Sequence, residues 1–284
     1  MNAYAATLER PLARRAERPV GDLLREWRQR RRLSQLELAG EADVSTRHLS
    51  FVETGRSLPS REMLMRLSER LEIPLRERNT LLTAAGYAPM YRERALDDPA
   101  LAAARKAVEL VLKGHEPYPA LAVDRHWQLV SYNRAVAPFL AGASAALLKP
   151  PVNVMRLSLH PEGLAPRIVN LAQWRAHLLM RLRQQVAASG DAVLAALIDE
   201  LSAYPVPGVP YDTADETVGG VVVPMQVRMP DGGALSFIST TTVFGTPVDI
   251  TLSELALETF FPADEATAQV LRRLGDGRAS GEQR

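Results

Sequence analysis

"LSQLELAGEADVSTRHLSFVETGRSLPSREMLMRLSERL", residues 33–71, decides how the first third of the chain folds. Leu36, Leu38 and Ala39 mark one short helix. Ser34 precedes it and Glu37 follows three residues on, the spacing at which each side chain caps the other's backbone N–H. Ser45 is placed to cap a second helix, with Leu49 and Val52 facing inward and Gly55 ending it. Ser60 opens another helix, with Leu64, Leu67 and Leu71 at helical period. The first two helices meet at a turn around residues 42–44. Ala39 is small, as a close crossing requires, and Leu38, Val44, Leu49 and Val52 make a shared core.

The flanks extend this pattern. Leu23, Leu24 and Trp27 mark a helix upstream. Pro74 closes the Leu64–Leu71 segment, and a fifth helix runs through Leu81 and Leu82 to Gly86. Five short helices with tight turns predict a compact all-α domain. Residues 1–18 are polar, arginine-rich and aperiodic, and read as a flexible arm.

After residue 94 the pattern changes. "DDPALAAARKAVELVLKG" predicts a linking helix over residues 99–113. "PALAVD" and "WQLVSYN" read as short strands, followed by a helix at about residues 133–140. "RIVNLAQWRAHLLMRLRQQVAASG" is a long amphipathic helix ending at Gly190, and "DAVLAALIDELSAY" is another. "VVVPMQVRMPDGGALSFISTTTVFG" predicts a hairpin around "PDGG". "ITLSELALETFF" reads as a last strand and "DEATAQVLRRL" as a closing helix. The order β-β-α-α-α-β-β-β-α indicates an α+β domain with an antiparallel sheet. The expected boundaries are an arm at 1–18, an all-α domain at 19–94, a linker helix at 95–116, an α+β domain at 117–276 and a disordered tail at 277–284.

Composition sets the outer limits. The chain has 284 residues, 46% hydrophobic and 24% charged, and no cysteine. Disulfides, thiolate catalysis and cysteine-based metal centres are thereby excluded. No apolar run reaches the roughly 18 residues of a membrane span, and the N-terminus has no apolar core of a secretory signal. A cytoplasmic protein with no membrane partner is expected. The net charge of +1 hides an asymmetry: residues 1–94 carry 18 Lys and Arg against 13 Asp and Glu, and the remainder carries 16 against 20. Only the first third suits a polyanion.

A helix held by that shared core presents its N-terminal residues to a major groove. Thr46, Arg47, His48, Ser50 and Phe51 are left outside or at the rim. An Arg pairs bidentately with guanine, and hydroxyls near a helix N-terminus suit phosphate oxygens. The string "REWRQRRR", Arg25 to Arg32, either grips the DNA backbone or solvates the first helix.

Over residues 20–88 the chain resembles the phage-repressor type of helix-turn-helix domain, the XRE family. The matches are Gln35, Ala39, Val44 and the "ETGRSLPS" exit. The resemblance implies a five-helix, sequence-specific binder of double-stranded operator DNA, acting as a homodimer. In it Gln35 contacts a phosphate and buttresses the recognition helix. Ser45 and Thr46 sit at that helix's tip, Arg47 and Ser50 on its groove face, and Arg56 near backbone phosphate. His48 is a further DNA-binding candidate, with a local cap or ring stack as its alternative role.

No catalytic signature appears in the second domain. There is no G-x-S-x-G, P-loop or Rossmann fingerprint. His48, His115, His126, His160 and His177 are scattered without metal-ligand spacing, and Asp97–Asp98 and Asp199–Glu200 sit beside helix ends or turns. No catalytic residue, metal or cofactor is expected, and an enzyme is not. Binding remains. Leu171, Trp174, Leu178, Leu182 and Val186 share one stripe of the long helix, with Arg175 beside it, and either pack a plain core or line a cavity over a sheet.

"YPALAVDRHWQLVSYNRAVAPFL", "LSLHPEGLAPRIVN" and "FGTPVDITLSELALETFFPADEAT" are similar to the C-terminal domain of MmyB-like regulators, which is PAS-like. That resemblance implies a bacterial one-component transcription factor binding a small apolar ligand of the fatty-acid class. The expected ligand residues are Met155, His160, Leu171, Trp174, Arg175, Leu178, Phe237, Ser239 and Thr241. A carboxylate head group cannot be buried bare, and Arg175, Arg167, His160 and the run Thr240–Thr242 are candidates to meet it. His160 has an alternative role in the turn before Pro161. Phe237, Ser239 and Thr241 share one strand face, and one residue of slip would turn that face away. The alternative function is a DNA-bound docking protein whose PAS-like domain recruits a protein partner without a ligand.

Overall fold

A computed structural model describes residues 18–206, 222–229 and 232–279, with side chains as far as residue 275. The arm up to residue 17, the Pro230–Asp231 part of the expected hairpin turn and the tail beyond 279 lie outside the described residues. The chain divides into two compact units, one built mainly from residues up to Arg94 and one mainly from Ala95 onward. No helix among the described residues is long and apolar enough to cross a membrane.

The first unit contains α1 (Val20–Arg30), α2 (Gln35–Glu41), α3 (Thr46–Glu53), α4 (Arg61–Arg70) and α5 (Leu75–Ala84). Val20, Leu23, Leu24 and Trp27 bury one stripe of α1. The expected reciprocal cap of Ser34 and Glu37 opens α2. The Oγ atoms of Ser45 and Ser60 accept the backbone N–H of His48 and Met63 at 3.1 and 3.2 Å. Between α2 and α3 the chain reverses at Asp43, whose φ of 53° is left-handed, a conformation a short polar side chain tolerates. Gly21 lets α1 cross α3 closely: a Cβ there would lie 2.3 Å from the Val52 carbonyl oxygen.

The second unit opens with a 3-10 turn and α6 (Ala102–Gly114), followed by β1 (Ala120–Val123) and β2 (Leu129–Tyr132). Next come α7 (Ala137–Leu140), α8 (Val154–Leu159), α9 (Leu171–Ser189) and α10 (Ala192–Ala203). The chain ends with β3 (Met225–Arg228), β4 (Ala234–Val243), α11 (Ile250–Ser253), β5 (Ala256–Pro262) and α12 (Glu265–Ala279). The strands form one antiparallel sheet in the order β2-β1-β5-β4-β3, as the PAS-like expectation requires. Apolar side chains of α7 to α10 pack on one face, around Phe237, Trp174 and Leu182. Val108 and Leu112 of α6 cover the other, against Ala120, Ala122 and Leu257.

Two expected elements differ from the observed ones. "ITLSELALETFF" is not one strand: Ile250–Ser253 makes a helical turn and β5 starts at Ala256. Val243 pairs with Ala256, so the chain must reverse between them, and alternation alone does not show where that reversal ends. The tail expected from residue 277 is helical over its first three residues, because α12 continues to Ala279.

Asp191 ties the β1–β2 turn to α10. One carboxylate oxygen accepts the Val193 N–H at 2.8 Å and caps α10, and the other lies 2.9 Å from His126 Nε2. Burial alone would raise its pKa. The His126 bond and the charges of His126 and Arg125 overcome this and lower it to about 2. A depressed folded pKa stabilises fully above the unfolded value, about 3.9. That stabilisation disappears as pH falls through about 2. The wild-type Tm is therefore expected to drop more steeply between about pH 4 and pH 2 than that of Asp191→Asn, read by circular dichroism melts. Parallel curves would refute this role.

Candidate nucleic-acid interface and ligand cavity

The sequence places a carboxylate, Glu53, on the inner side of α3, where it is only 5% exposed. Two side chains satisfy it, one of them a cation. Arg28 of α1 grips it bidentately, Nε at 2.7 Å and Nη2 at 2.8 Å, and Gln35 Nε2 donates to it at 2.8 Å. Burial raises the Glu53 pKa, but the Arg28 and Gln35 bonds and the Arg28 charge prevail and lower it. Arg28 also donates to the Leu33 carbonyl at 2.8 Å, closing the end of α1. One buried charge thus locks α1, α2 and α3 together. Gln35, at the start of α2, is thereby bonded to Glu53 of α3.

Above this lock, Ser45, Arg47, His48 and Arg56 are exposed, and Thr46 and Ser50 partly so. All lie on or beside α3. The guanidinium groups of Arg47 and Arg56 stand 5.3 and 5.9 Å from the centre of the Phe51 ring, within cation–π range. Phe51 therefore orients both. Its signal in the sequence is its place four residues after Arg47, on the same helix face. Three of the five arginines in the basic string have partners inside the fold: Arg28 with Glu53, Arg30 with Glu26 and Arg31 with the Leu71 carbonyl. Arg25 and Arg32 remain exposed.

In the second unit, α9 lies over the inner face of the sheet and a cavity of about 100 Å³ remains between them. Met155, Trp174, Leu178, Phe237 and Ser239 line it, with Phe139 and Phe260. Trp174 Nε1 donates to Ser158 Oγ at 3.0 Å, so its indole is held with no polar atom unpaired. One end is polar. Arg181 of α9 lies 4.6 Å from the Trp127 ring centre and bonds both oxygens of Glu258, at 3.0 and 2.5 Å. Thr241 Oγ1 donates to Glu258 at 2.8 Å and accepts a bond from Arg181.

Four expected ligand residues do not reach this cavity. Arg175 donates to the carbonyls of Ser202 and Tyr204, both at 2.8 Å, and caps the end of α10. His160 Nδ1 accepts the Glu162 N–H at 3.0 Å, which is its turn role. Leu171 packs half-buried at the start of α9. Thr241 faces the Arg181–Glu258 pair rather than the hollow. Helical phase explains the exchange of arginines: Arg181 follows Trp174 by seven residues and Leu178 by three, on the lining stripe, whereas Arg175 sits 100° away from Trp174. Glu258 was legible as the lone acid between Ala256 and Phe260 on the inward face of a strand.

A family model described as "MmyB-like transcription regulator ligand binding domain" matches residues 104–274, and one described as "Helix-turn-helix" matches residues 24–78. The chain belongs to the MmyB-like transcription regulators. This MmyB-like regulator therefore joins a DNA-binding domain to a ligand-binding domain. No curated protein matches it. Among solved structures it is similar to one described as "Structure of an RNA-binding Light-Oxygen-Voltage Receptor". The identity is 14% and the TM-score 0.24, covering 99% of this chain and 67% of that one, too weak a likeness to carry any argument.

Proposed function

We propose that this MmyB-like regulator is a homodimeric one-component transcription factor whose DNA affinity is set by a small apolar ligand in its PAS-like domain. The observation that supports this best is the cavity, walled almost wholly by apolar side chains, inside the domain matched as ligand-binding. At about 100 Å³ it is small. A roughly 150 Å³ cavity admits benzene, so a ligand of the fatty-acid class needs additional room. Two helix-turn-helix domains would meet half-sites about one helical turn apart. A coupling of about 1–3 kcal/mol between ligand and DNA is the usual range.

The test is native mass spectrometry of protein purified from cells, followed by DNA titration with and without the co-purified molecule. A changed operator affinity is expected, and an unchanged one at saturating ligand would refute the sensor. The docking reading is favoured by a different observation. Ala103, Ala107, Leu110 and Val111 form an exposed apolar stripe on α6, with Leu110 62% exposed. Protein that purifies empty and binds a protein partner through this stripe would support docking instead.

On the DNA side, Arg47→Ala is expected to weaken operator binding by about 1–3 kcal/mol and to relax selection at one base pair. Arg56→Ala is expected to weaken all sequences alike and to lower the salt slope by about one phosphate contact. Selection from a random-sequence pool, then titration at two salt concentrations, separates the two. Wild-type behaviour of both variants would refute the groove assignment.

A further inference from the structure

The exposed face of α3 is polar except at Phe51. Leu49, Val52 and Glu53 are buried on the inner side of the helix. Arg47, Ser50 and Phe51 point the opposite way, within little more than a quarter-turn of one another. Phe51 is half-buried, yet among the described residues it is not one of the apolar side chains packed on the core of its unit. Its ring meets cations instead: the Arg47 guanidinium stands 5.3 Å from its centre and that of Arg56 5.9 Å. Neither arginine has a carboxylate partner among the described residues. The Arg56 N–H donates to the Phe51 carbonyl at 2.8 Å, so the turn that ends α3 brings Arg56 back to the ring.

We propose that Phe51 determines sequence specificity by packing on the C5 methyl of a thymine within two base pairs of the guanine that Arg47 pairs. This rests on the reading of α3 as the DNA-reading helix. The chemistry of the side chain selects the target. A phenyl ring has no hydrogen-bond donor or acceptor to offer, so it cannot match the polar edges of the bases or hold a phosphate. The apolar feature that the major groove presents is the thymine methyl. The neighbouring charges select the surface. The core of a protein interface is depleted of charge, whereas a ring held between two guanidinium groups suits a polyanion that carries an apolar spot.

Spacing sets how far the thymine lies from the guanine. Four residues of helix rise about 6 Å, and successive bases of one strand about 3.4 Å. A helix lying along the groove therefore places Phe51 one to two base pairs from Arg47. The contact between ring and guanidinium couples the two readings. A ring seated on the methyl fixes Arg47 for its paired bonds to guanine, and Arg47 in turn holds the ring against the base. The pair then reads one composite mark, a 5-methylpyrimidine close to a guanine.

The experiment uses the full chain and the sites it enriches from a random-sequence pool, with the guanine located by its loss of selection in Arg47→Ala. Each thymine is then replaced in turn by uracil, which removes the methyl and keeps every hydrogen-bonding group. Uracil at one position within two base pairs of that guanine is expected to weaken wild-type binding about threefold to fivefold, the value of burying one methyl. Phe51→Ala is expected to bind the thymine and uracil sites alike, which assigns the contact to Phe51 rather than to the methyl of Thr46. It is also expected to melt like wild type, because the ring lies outside the core. If no thymine is enriched there, if uracil costs the wild type nothing, or if Phe51→Ala keeps the full uracil penalty, Phe51 reads no methyl and only orients the arginines. Sequence-specific DNA reading then survives. If the pool yields no enriched sequence for the wild type, that reading falls and this proposal with it.

Discussion

Glu53→Ala is expected to destabilise the helix-turn-helix domain by about 3–5 kcal/mol, because it strands the buried Arg28 guanidinium without a counter-charge. Domains of this size have only about 5–15 kcal/mol in total, so much of the DNA-binding unit would unfold near physiological temperature. Arg28→Ala should do comparable harm, since it leaves Glu53, 5% exposed, with only the Gln35 amide. The double variant Arg28→Met/Glu53→Leu separates the two components of the effect. Replacing a buried pair by apolar groups of similar volume is often neutral or stabilising, so the double variant is expected to recover most of the loss. It should still bind DNA less well, because Gln35 loses its partner and the lock between α2 and α3. The pH dependence carries the same signature. The Glu53 pKa is lowered in the fold, so its contribution is present above the unfolded value, about 4.3, and is lost on acidification. Denaturant melts of the four proteins close the cycle, and a Glu53→Ala loss below about 1 kcal/mol would show that the network does not hold the domain.

Phe237→Ala is expected to cost the PAS-like domain about 3–5 kcal/mol, the range for deleting a buried phenyl group. Phe237 is 0% exposed and sits edge-on between Phe139, 5.5 Å away, and Phe260, 6.4 Å away. Removing the ring enlarges the existing cavity by about the size of a benzene. Benzene is therefore expected to raise the Tm of the variant far more than that of the wild type. At a hundred times its Kd a ligand returns about 2.7 kcal/mol, most of the deficit. Thermal melts with and without benzene measure this directly. A variant that melts like wild type, or that benzene leaves unchanged, would mean that the space collapses and is not a binding cavity.

The first unit was almost entirely legible because its signals are local. Caps at Ser34, Ser45 and Ser60 and the stripes Leu23–Leu24–Trp27 and Leu49–Val52 each lie within one turn or two of helix. Residues on one helix share a face by spacing alone. The exposed face of α3 follows from the buried one. What spacing could not supply was the Glu53 network, whose partner Arg28 lies 25 residues away. In the sequence Arg28 looks like its neighbours in a basic string.

In the second unit the class, the sheet and the Phe237–Ser239 face were also written in the pattern, since alternation in a strand sets which residues point together. The pairing of charges at the polar end of the cavity was not. Arg181 and Glu258 lie 77 residues apart, and only the laying of α9 across β5 brings them together. The same packing turned Arg175 toward the end of α10, because neighbouring residues on a helix point 100° apart and α9 was already committed to the sheet by Trp174 and Leu178. Local periodicity by itself determined most of the elements, their inward faces and the exposed face of α3. Tertiary structure decided which charges meet, how large the cavity is and where it ends, because those depend on distances between elements that no single segment encodes.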